Sequence, residues 1–261
     1  MKTSKDLDAA LRRLAKKYAV DVPDRWILQS TAGAASPQRT TLAPGWALPA
    51  GAAESFVPLL HWRSQRRFVE LKRLVVGRTV APVVMCRFSC QTTGEPMGLD
   101  AILYREFDLI EWMNDSPIVS VYASVVAGRF ANVLVRLQNG VIGSIEAGAT
   151  LPTGSQPDVL DRHEIIAGRG LASDRAVDTQ LPQDSVYVFT AKGVEKYTDT
   201  DAELFGLDDE EVSLVRAAYD LASQPDSADA LRRQHRRLAA LVKTAQESDR
   251  VRRRLDTEGA Q

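Results

Sequence analysis

Residues 117–152 contain two stretches in which apolar and polar side chains alternate, and this pattern constrains the fold more than any other feature of the chain. The stretches read "PIVSVYASVVAG" and "FANVLVRLQNGVIGSIEAGATLP", and Asn139-Gly140 divides the second of them. Alternation with period two predicts strands with one buried face, and Asn-Gly between such runs is the strongest short signal of a β-hairpin. The segment therefore predicts a meander of antiparallel strands.

Further short strands are predicted on both sides of this meander. They lie in "APVVMCRFSCQTT" before it and in "RHEIIAGRGLASDR", "DSVYVFTAKG" and "GVEKYTD" after it, which makes a mostly antiparallel sheet of roughly seven strands. Apolar residues at helical spacing predict helices at 4–19, 56–77, 98–113, 208–224 and 226–255. The fold class is thus α+β: an open, mostly antiparallel sheet with helices packed on one face, plus a short N-terminal helix and an extended arm.

Changes in composition along the chain predict its domains. Residues 1–55 hold the N-terminal helix and an extended arm or linker, because residues 29–55 are rich in Ala, Gly, Pro, Ser and Thr. This segment is either a mobile linker or an arm that packs along a partner. Trp46 favours the arm, since an exposed Trp in a free linker would gain nothing. Residues 56–250 form the α+β domain, and residues 251–261 are expected to fray.

The charge balance and the cysteines exclude several classes of function. A net charge of −1 argues against a nucleic-acid-binding protein, which needs a dominant basic field. The N-terminus lacks the apolar core of a secretory signal, and no run approaches the roughly 18 apolar residues of a membrane span. Cys86 and Cys90 are predicted to be buried free thiols, with no Cys/His cluster to form a metal site. We therefore expect a cytoplasmic protein without a bound metal.

A search for catalytic and cofactor-binding motifs is largely negative. The chain contains no G-x-G-x-x-G, no G-x-x-x-x-G-K-[ST] and no G-x-S-x-G, so alone it is not expected to bind a nucleotide cofactor. Of the three histidines, His235 is predicted at the surface and His61 packed on an amphipathic helix. His163 lies beside acidic residues in "DRHEIIAGRG", where it is either a general acid or base or a structural residue.

The helix predicted for "GLDAILYREFDLIEWM", residues 98–113, has a mixed character. Its apolar stripe consists of Leu99, Ile102, Leu103, Leu109, Ile110, Trp112 and Met113. Its polar side consists of Asp100, Arg105, Glu106, Asp108 and Glu111. That side is either a catalytic surface or the solvent-facing side of a packed helix.

The order of these segments resembles the C-terminal, substrate-side domain of the Gfo/Idh/MocA oxidoreductases. "REFDLIEWMNDSPIVSVYA" is similar to the family's H-x-x-D-L-x-x-W-L-x-G-x-P-x-x-V-x-A stretch. "VLVRLQNGVIGSIEAGAT" is similar to its F-x-N-G-x-x-G-x-I hairpin, and "HEIIAGRGLASD" to its x-E-I-x-G-x-x-G strand and turn. The preceding "FVPLLHWRSQRRFVELKRLVVGRTVAPVV" resembles the family's crossing helix and the strand after it. The resemblance covers roughly 200 residues and implies an open sheet with helices on one face.

The chain departs from the family pattern where the family performs its chemistry. Residues 1–55 are too short for a Rossmann domain, and the lysine of the family's E-K-P motif has no counterpart. Aligning on Asp108 and Trp112 places Arg105 at the family's histidine and Ala101 at its aspartate. Arginine cannot transfer protons near neutral pH, because its pKa exceeds about 12. Asp100 or Glu106 could substitute only by a shift of register.

These departures predict a non-catalytic subunit that assembles through its sheet, with itself or with a full-length sugar or glycoside dehydrogenase of this family. One alternative is the substrate-binding half of a split NAD(P)-dependent sugar oxidoreductase, in which a partner supplies the cofactor and Arg105, Asp108 and His163 contact sugar hydroxyls. Another is a cofactor-free sugar lyase, isomerase or hydrolase that uses paired acids. Under the first hypothesis the polar side of helix 98–113 is solvent-facing or partner-facing, with no catalytic, cofactor or metal residue.

Overall fold

The computed structural model describes residues 4–31, 38–52, 54–155, 157–174, 186–190, 193–197 and 201–257. Its contacts divide the chain into two units. The first comprises residues 1–65 and 178–235, and the second comprises residues 66–177 and 236–261. The division expected from the sequence follows chain order, at 1–55, 56–250 and 251–261. Residues of the late segment share an apolar core with the N-terminal residues, which accounts for the composition of the first unit.

The first unit is built on a small parallel sheet. Its strands are β1 (Trp26–Leu28), β2 (Thr40–Pro44) and β3 (Phe56–Leu59), in the order β1-β2-β3. Helices α1 (Ser4–Lys17) and α4 (Asp209–Ser223) share its apolar core, which includes Leu7, Leu28, Leu42, Val57 and Val215. A capping box formed by Asp208 and Glu211 begins α4. An antiparallel hairpin of β10 (Val186–Thr190) and β11 (Gly193–Tyr197) also belongs to this unit.

Two N-terminal predictions are corrected by this sheet. The segment 29–55, predicted as an arm or linker, contains β2, the central strand of the parallel sheet. The helix predicted at 56–77 begins instead with β3, continues through a 3-10 turn at His61–Ser64 and becomes α-helical only in α2 (Arg66–Val76). The strands β2 and β3 do not alternate between apolar and polar residues, because both are almost wholly buried.

The second unit contains the large sheet that the alternating pattern predicted. Its order is β12-β5-β6-β7-β4-β8-β9, and only the β4–β7 pair is parallel. The strands are β4 (Val83–Thr92), β5 (Ile118–Val126), β6 (Phe130–Leu137), β7 (Ile142–Gly148), β8 (Val159–Ala167), β9 (Gly170–Ser173) and β12 (Leu255–Asp256). Helix α3 (Leu99–Asn114) and the second half of α5 (Ala228–Val251) complete the unit, together with α2. The α+β class and the mostly antiparallel sheet are confirmed.

The sheet register separates its two faces. One row of the helix-covered face contains Val121, Val135, Gly143, Cys86 and Ile165 on neighbouring strands. A Cβ atom on Gly143 would lie 2.5 Å from Val135 Cγ2 and 2.8 Å from Ile110 Cδ1, so α3 approaches the sheet closely at this glycine. Both cysteines on β4 are free and buried, as predicted.

The opposite face of the sheet presents apolar side chains to solvent. Tyr122, Leu134 and Ile142 are 41%, 50% and 46% exposed. Tyr122 and Leu134 are cross-strand partners, and the same row continues to Glu164, which is flanked by Arg87 and Arg162. We call this surface, defined by Tyr122, Leu134 and Ile142, the open sheet face.

The C-terminal segment is held in place as far as Thr257. Strand β12 pairs with β5, the Thr257 amide donates to the Val119 carbonyl at 3.0 Å, and the Thr257 hydroxyl donates to the Ile118 carbonyl at 2.7 Å. The fraying expected for 251–261 is therefore wrong for residues 251–257, and residues 258–261 lie outside the described part. Among the residues described, no helix combines the length and apolarity needed to cross a bilayer.

Candidate functional site

The polar side of α3 is buried. Arg105, Glu106, Asp108 and Glu111 are only 6%, 0%, 0% and 7% exposed, whereas Asp100 at the start of the helix is exposed. The prediction of a solvent-facing or partner-facing side is therefore wrong for these four residues. Arg105, Glu106 and Glu111 pair there with side chains of opposite charge from elements distant in sequence.

His163, on β8, lies at the centre of a buried ionic cluster. Its Nδ1 is 2.6 Å from Asp174 Oδ2, and its Nε2 is 3.0 Å from Glu106 Oε2. The rings of Phe68 and Phe88 contact it edge-on, with centroids 4.7 and 4.8 Å away. Carboxylates accept hydrogen bonds, so both ring nitrogens must donate, and the ring carries the charge of an imidazolium.

Two arginines complete the cluster. Arg105 Nε donates to Glu106 Oε1 at 2.8 Å, and its Nη2 reaches Asp161 Oδ2 at 3.1 Å. Arg67, on α2, forms a bidentate pair with Asp161 at 2.7 and 2.8 Å and lies 3.4 Å from Asp174 Oδ2. We refer to the six residues as the ionic cluster: Arg67, Arg105, Glu106, Asp161, His163 and Asp174. Its three cations balance its three carboxylates.

The pKa values follow from this charge pairing. Burial alone would raise the pKa of Glu106, but the charges of Arg105 and His163 hold it below its ordinary value. Burial alone would lower the pKa of His163, but Glu106 and Asp174 raise it above its ordinary value. Burial opposes ionisation of Asp161 as well, yet Arg67 and Arg105 hold its pKa well below the usual range. The charged forms of all three groups are therefore the stable ones.

The cysteine nearest the cluster offers no nucleophile. Burial raises the pKa of the Cys90 thiol to about 12, with Arg105 opposing this shift in part. Burial likewise raises the pKa of Cys86 to about 11, although Asn114 hydrogen-bonds its sulfur. Both thiols are protonated at neutral pH.

Three members of the cluster have the residue types of a metal site. The candidate ligand atoms of Asp161, His163 and Asp174 all lie within 4.8 Å of one another. The Arg67 guanidinium already bridges the two aspartates, and His163 Nδ1 needs its proton to bond Asp174. A guanidinium thus occupies the position that a cation would take, and these residues form ion pairs rather than a metal centre.

A second buried ion pair anchors the other end of α3. Glu111 accepts hydrogen bonds from Arg237 Nη2 at 2.7 Å and Nε at 2.9 Å, and from the backbone amide of Ile118 at 2.7 Å. Arg237 also donates to the Ile118 carbonyl at 2.9 Å. This pair fixes α3 and α5 to the start of β5.

The residues singled out from the sequence lie in different parts of the structure. Arg105 and His163 belong to the same cluster, bridged by Glu106, while Asp108 is buried on α3. His61 and His235 belong to the first unit. His235 was predicted at the surface, but it is buried and its Nε2 hydrogen-bonds the Pro49 carbonyl at 3.0 Å, so that prediction is wrong.

Sequence reasoning did not single out Arg67 and Asp174. Asp174 ends the segment "HEIIAGRGLASD", and the β8–β9 hairpin returns it to His163, whose backbone amide donates to Asp174 Oδ1 at 2.8 Å. The glycine turn between the two strands was the only signal of this pairing. Arg67 lies 94 residues from Asp161 in sequence, and no local pattern links them.

No protein-family model matches this chain, and no curated protein matches its sequence. Solved structures do match it. Scyllo-inositol dehydrogenase from Lactobacillus casei, bound to NAD(H) and scyllo-inositol, is 14% identical with a TM-score of 0.55, over 84% of this chain and 73% of that one. A probable dehydrogenase from Thermotoga maritima is 16% identical with a TM-score of 0.62, over 94% and 87% of the two chains. GenD2 from gentamicin A biosynthesis, in complex with NAD, is 16% identical with a TM-score of 0.64, over 95% and 86%.

The chain shares its fold with these dehydrogenases. At these identities the likeness is one of fold. Because it covers up to 95% of this chain, it extends beyond the part, 56–250, on which the sequence resemblance rests. Two members of the ionic cluster, Arg105 and Glu106, lie on α3, and the other four come from α2 and from the β8–β9 hairpin and its end.

Proposed function

We propose that this protein is a non-catalytic subunit that assembles through its open sheet face, with itself or with a full-length sugar or glycoside dehydrogenase of the same fold type. The observation that carries this proposal is the closure of the ionic cluster. Glu106, Asp161, His163 and Asp174 each bond a partner of opposite charge within the cluster, so these four groups are held in ion pairs rather than presented to a substrate as acids or bases.

Arg105 supports the same conclusion from its position. The alignment on Asp108 and Trp112 places it where the family has a histidine, and its buried guanidinium is paired to Glu106 and Asp161. Those carboxylates raise its already high pKa further, against the effect of burial, so it holds its proton permanently. The residue at the position of the family's histidine is thus held in a structural ion pair.

Neither β2 nor β3 leads into the turn that a dinucleotide needs. A pyrophosphate site needs a glycine-rich turn that leads from a strand directly into the N-terminus of an α-helix. Here β2 leads into a three-residue 3-10 turn, Gly45–Ala47, and β3 leads into a four-residue 3-10 turn, His61–Ser64. This disagreement supports a subunit that depends on a partner for any NAD(P) chemistry.

The open sheet face supports a role in assembly with another subunit. Adjacent large apolar side chains in contact with water favour association, because burying them removes apolar surface from solvent. Arg87 and Arg162 border the apolar row with half-exposed side chains, and both pair with the buried Glu164, so their charges are compensated where a second copy of the same surface would pack.

Light scattering after size-exclusion chromatography tests the assembly. The substitution Leu134→Arg places a charge at the centre of the open sheet face and should convert an oligomer into a monomer. Val69→Arg is the matched control, because Val69 is exposed on α2 and should leave the oligomer intact. A monomeric wild-type protein that also retains no dehydrogenase in affinity purification from its native cell would contradict the proposal.

The second candidate is the substrate-binding half of a split oxidoreductase. Arg67 favours it, because its side chain is 36% exposed and brings one charged group of the cluster to the surface, where a sugar hydroxyl could bind. Mixing the protein with the product of a neighbouring gene and following nicotinamide absorbance distinguishes the two. Turnover that requires both chains and is lost in Arg67→Gln supports the split enzyme.

A further inference from the structure

A cavity of about 320 Å³ lies at the carboxyl end of β3 in the first unit. Its walls come from the end of β3, the 3-10 turn that follows, the last turns of α4 and the first turn of α5. In open α/β sheets ligands bind outside the carboxyl ends of parallel strands, and β3 is parallel to its neighbour β2. The volume is at the small end of the range for ligand pockets, which is roughly 300–1,000 Å³.

One side of the cavity is aliphatic. Leu59, Leu60, Ala217, Leu221 and Leu231 line it, and Leu59, Leu60 and Leu221 are otherwise buried. No aromatic side chain belongs to the lining, so the cavity lacks the stacking surface that flat rings use. A small branched aliphatic group is the complementary shape.

The other side of the cavity carries both signs of charge. Arg63 and Asp220 line it, and the Ser64 hydroxyl donates a hydrogen bond to Asp220. Burial raises the pKa of Asp220, and the Ser64 hydrogen bond and Arg216 offset this only in part. Asp220 as a residue is exposed, so its carboxylate is desolvated only in part and can pair with a cation, while the five donors of a guanidinium suit a carboxylate ligand.

We propose that this cavity binds a free α-amino acid with a branched aliphatic side chain. Its α-carboxylate pairs with Arg63, its α-ammonium pairs with Asp220, and its side chain packs against Leu59, Leu221 and Leu231. A ligand with a single charge would use only one of the two charged groups. This inference goes beyond the proposed assembly and does not depend on it.

Isothermal titration of the full chain with L-leucine tests the proposal through a series of ligands. Glycine lacks the side chain, 4-methylpentanoate lacks the ammonium, and 3-methylbutylamine lacks the carboxylate. Each should bind at least about tenfold more weakly than leucine, since each loses one group of contacts. No saturable binding of leucine up to about 10 mM, or equal affinity for 4-methylpentanoate, overturns the proposal.

Variants locate the site. Arg63→Gln and Asp220→Asn should each weaken leucine binding by at least about tenfold. Arg233→Gln is the matched control, because Arg233 is exposed on α5 outside the cavity and should bind leucine as the wild type does. Unchanged leucine affinity in both cavity variants also overturns the proposal. If circular dichroism shows that a variant is unfolded, the ligand series on the wild-type protein decides.

Discussion

Glu106→Gln is the substitution that probes the ionic cluster most directly. The side chain keeps its shape, and its remaining carbonyl oxygen can still accept from Arg105. The new amide nitrogen, however, takes the place of Oε2 and faces His163 Nε2, 3.0 Å away in the native protein. Two donors then point at each other, and the cluster carries one uncompensated positive charge in a site where Glu106 is fully buried.

The expected cost follows from these contacts. Removing one partner of a buried ion pair destabilises proteins by about 3–5 kcal/mol. The lost charge-assisted hydrogen bond to His163 accounts for about 1.5–3 kcal/mol of this figure, and the uncompensated charge accounts for the rest. For a domain of this size, such a loss lowers the melting temperature by roughly 6–20 °C.

Urea unfolding followed by circular dichroism measures this cost, with amide exchange in α3 reporting the second unit separately. The matched control is Glu70→Gln, which makes the same chemical change in a surface pair: Arg73 Nε lies 2.8 Å from Glu70, three residues away on α2. That variant should lose no more than about 0.5 kcal/mol. A loss in Glu106→Gln as small as in the control would refute the argument that the cluster is a buried, mutually compensated network.

Two further predictions concern pH and packing. Because the pKa of His163 is raised in the folded protein, its stabilising contribution is complete below about pH 6.5 and is lost as the pH rises through the folded pKa. The free energy of unfolding, measured from pH 6 upward, should therefore fall in the wild type and stay nearly flat in His163→Gln. The lowered pKa values of Glu106 and Asp161 add a loss of stability in acid, below about pH 4. Gly143→Ala should lower the free energy of unfolding by about 1–3 kcal/mol in thermal unfolding, because its Cβ would press α3 away from the sheet at Ile110. An unchanged stability would mean that α3 can move away from the sheet at little cost.

The sequence predicted most strands of the large sheet, because they have one buried and one open face, but β10 and β11, predicted in the same sheet, form a separate hairpin in the first unit. Alternation marks such strands directly, and Asn139-Gly140 set the β6–β7 connection. The parallel strands β2 and β3 were missed for the opposite reason. Thr40–Pro44 is almost wholly buried, so its side chains show no period, and its proline and threonines read as loop.

The character of α3 was only half predictable. Its apolar stripe was enough to predict the helix, but the local pattern predicts that the five polar residues on the other side are exposed to solvent. Arg105 and Glu106 are buried against Asp161 and His163, and Glu111 against Arg237, and topology alone brings these partners to α3. His235 shows the same limit, since a distant carbonyl at Pro49 makes its burial favourable. The domain boundaries, the candidate roles of Arg105, Asp108 and His163, and assembly with a partner remain predictions.

The position of β4 in the sheet has a kinetic consequence. β5, β6 and β7 form a local meander, whereas β4 enters between β7 and β8, with pairs such as Met85–Ile142 and Arg87–Glu164 far apart in sequence. Closing such long loops costs chain entropy before any contact compensates, so we expect the meander to form early and β4 with β8 to join late. His163 and Glu106 meet only at that last step. Changes to the ionic cluster should therefore accelerate unfolding and leave the folding rate nearly unchanged.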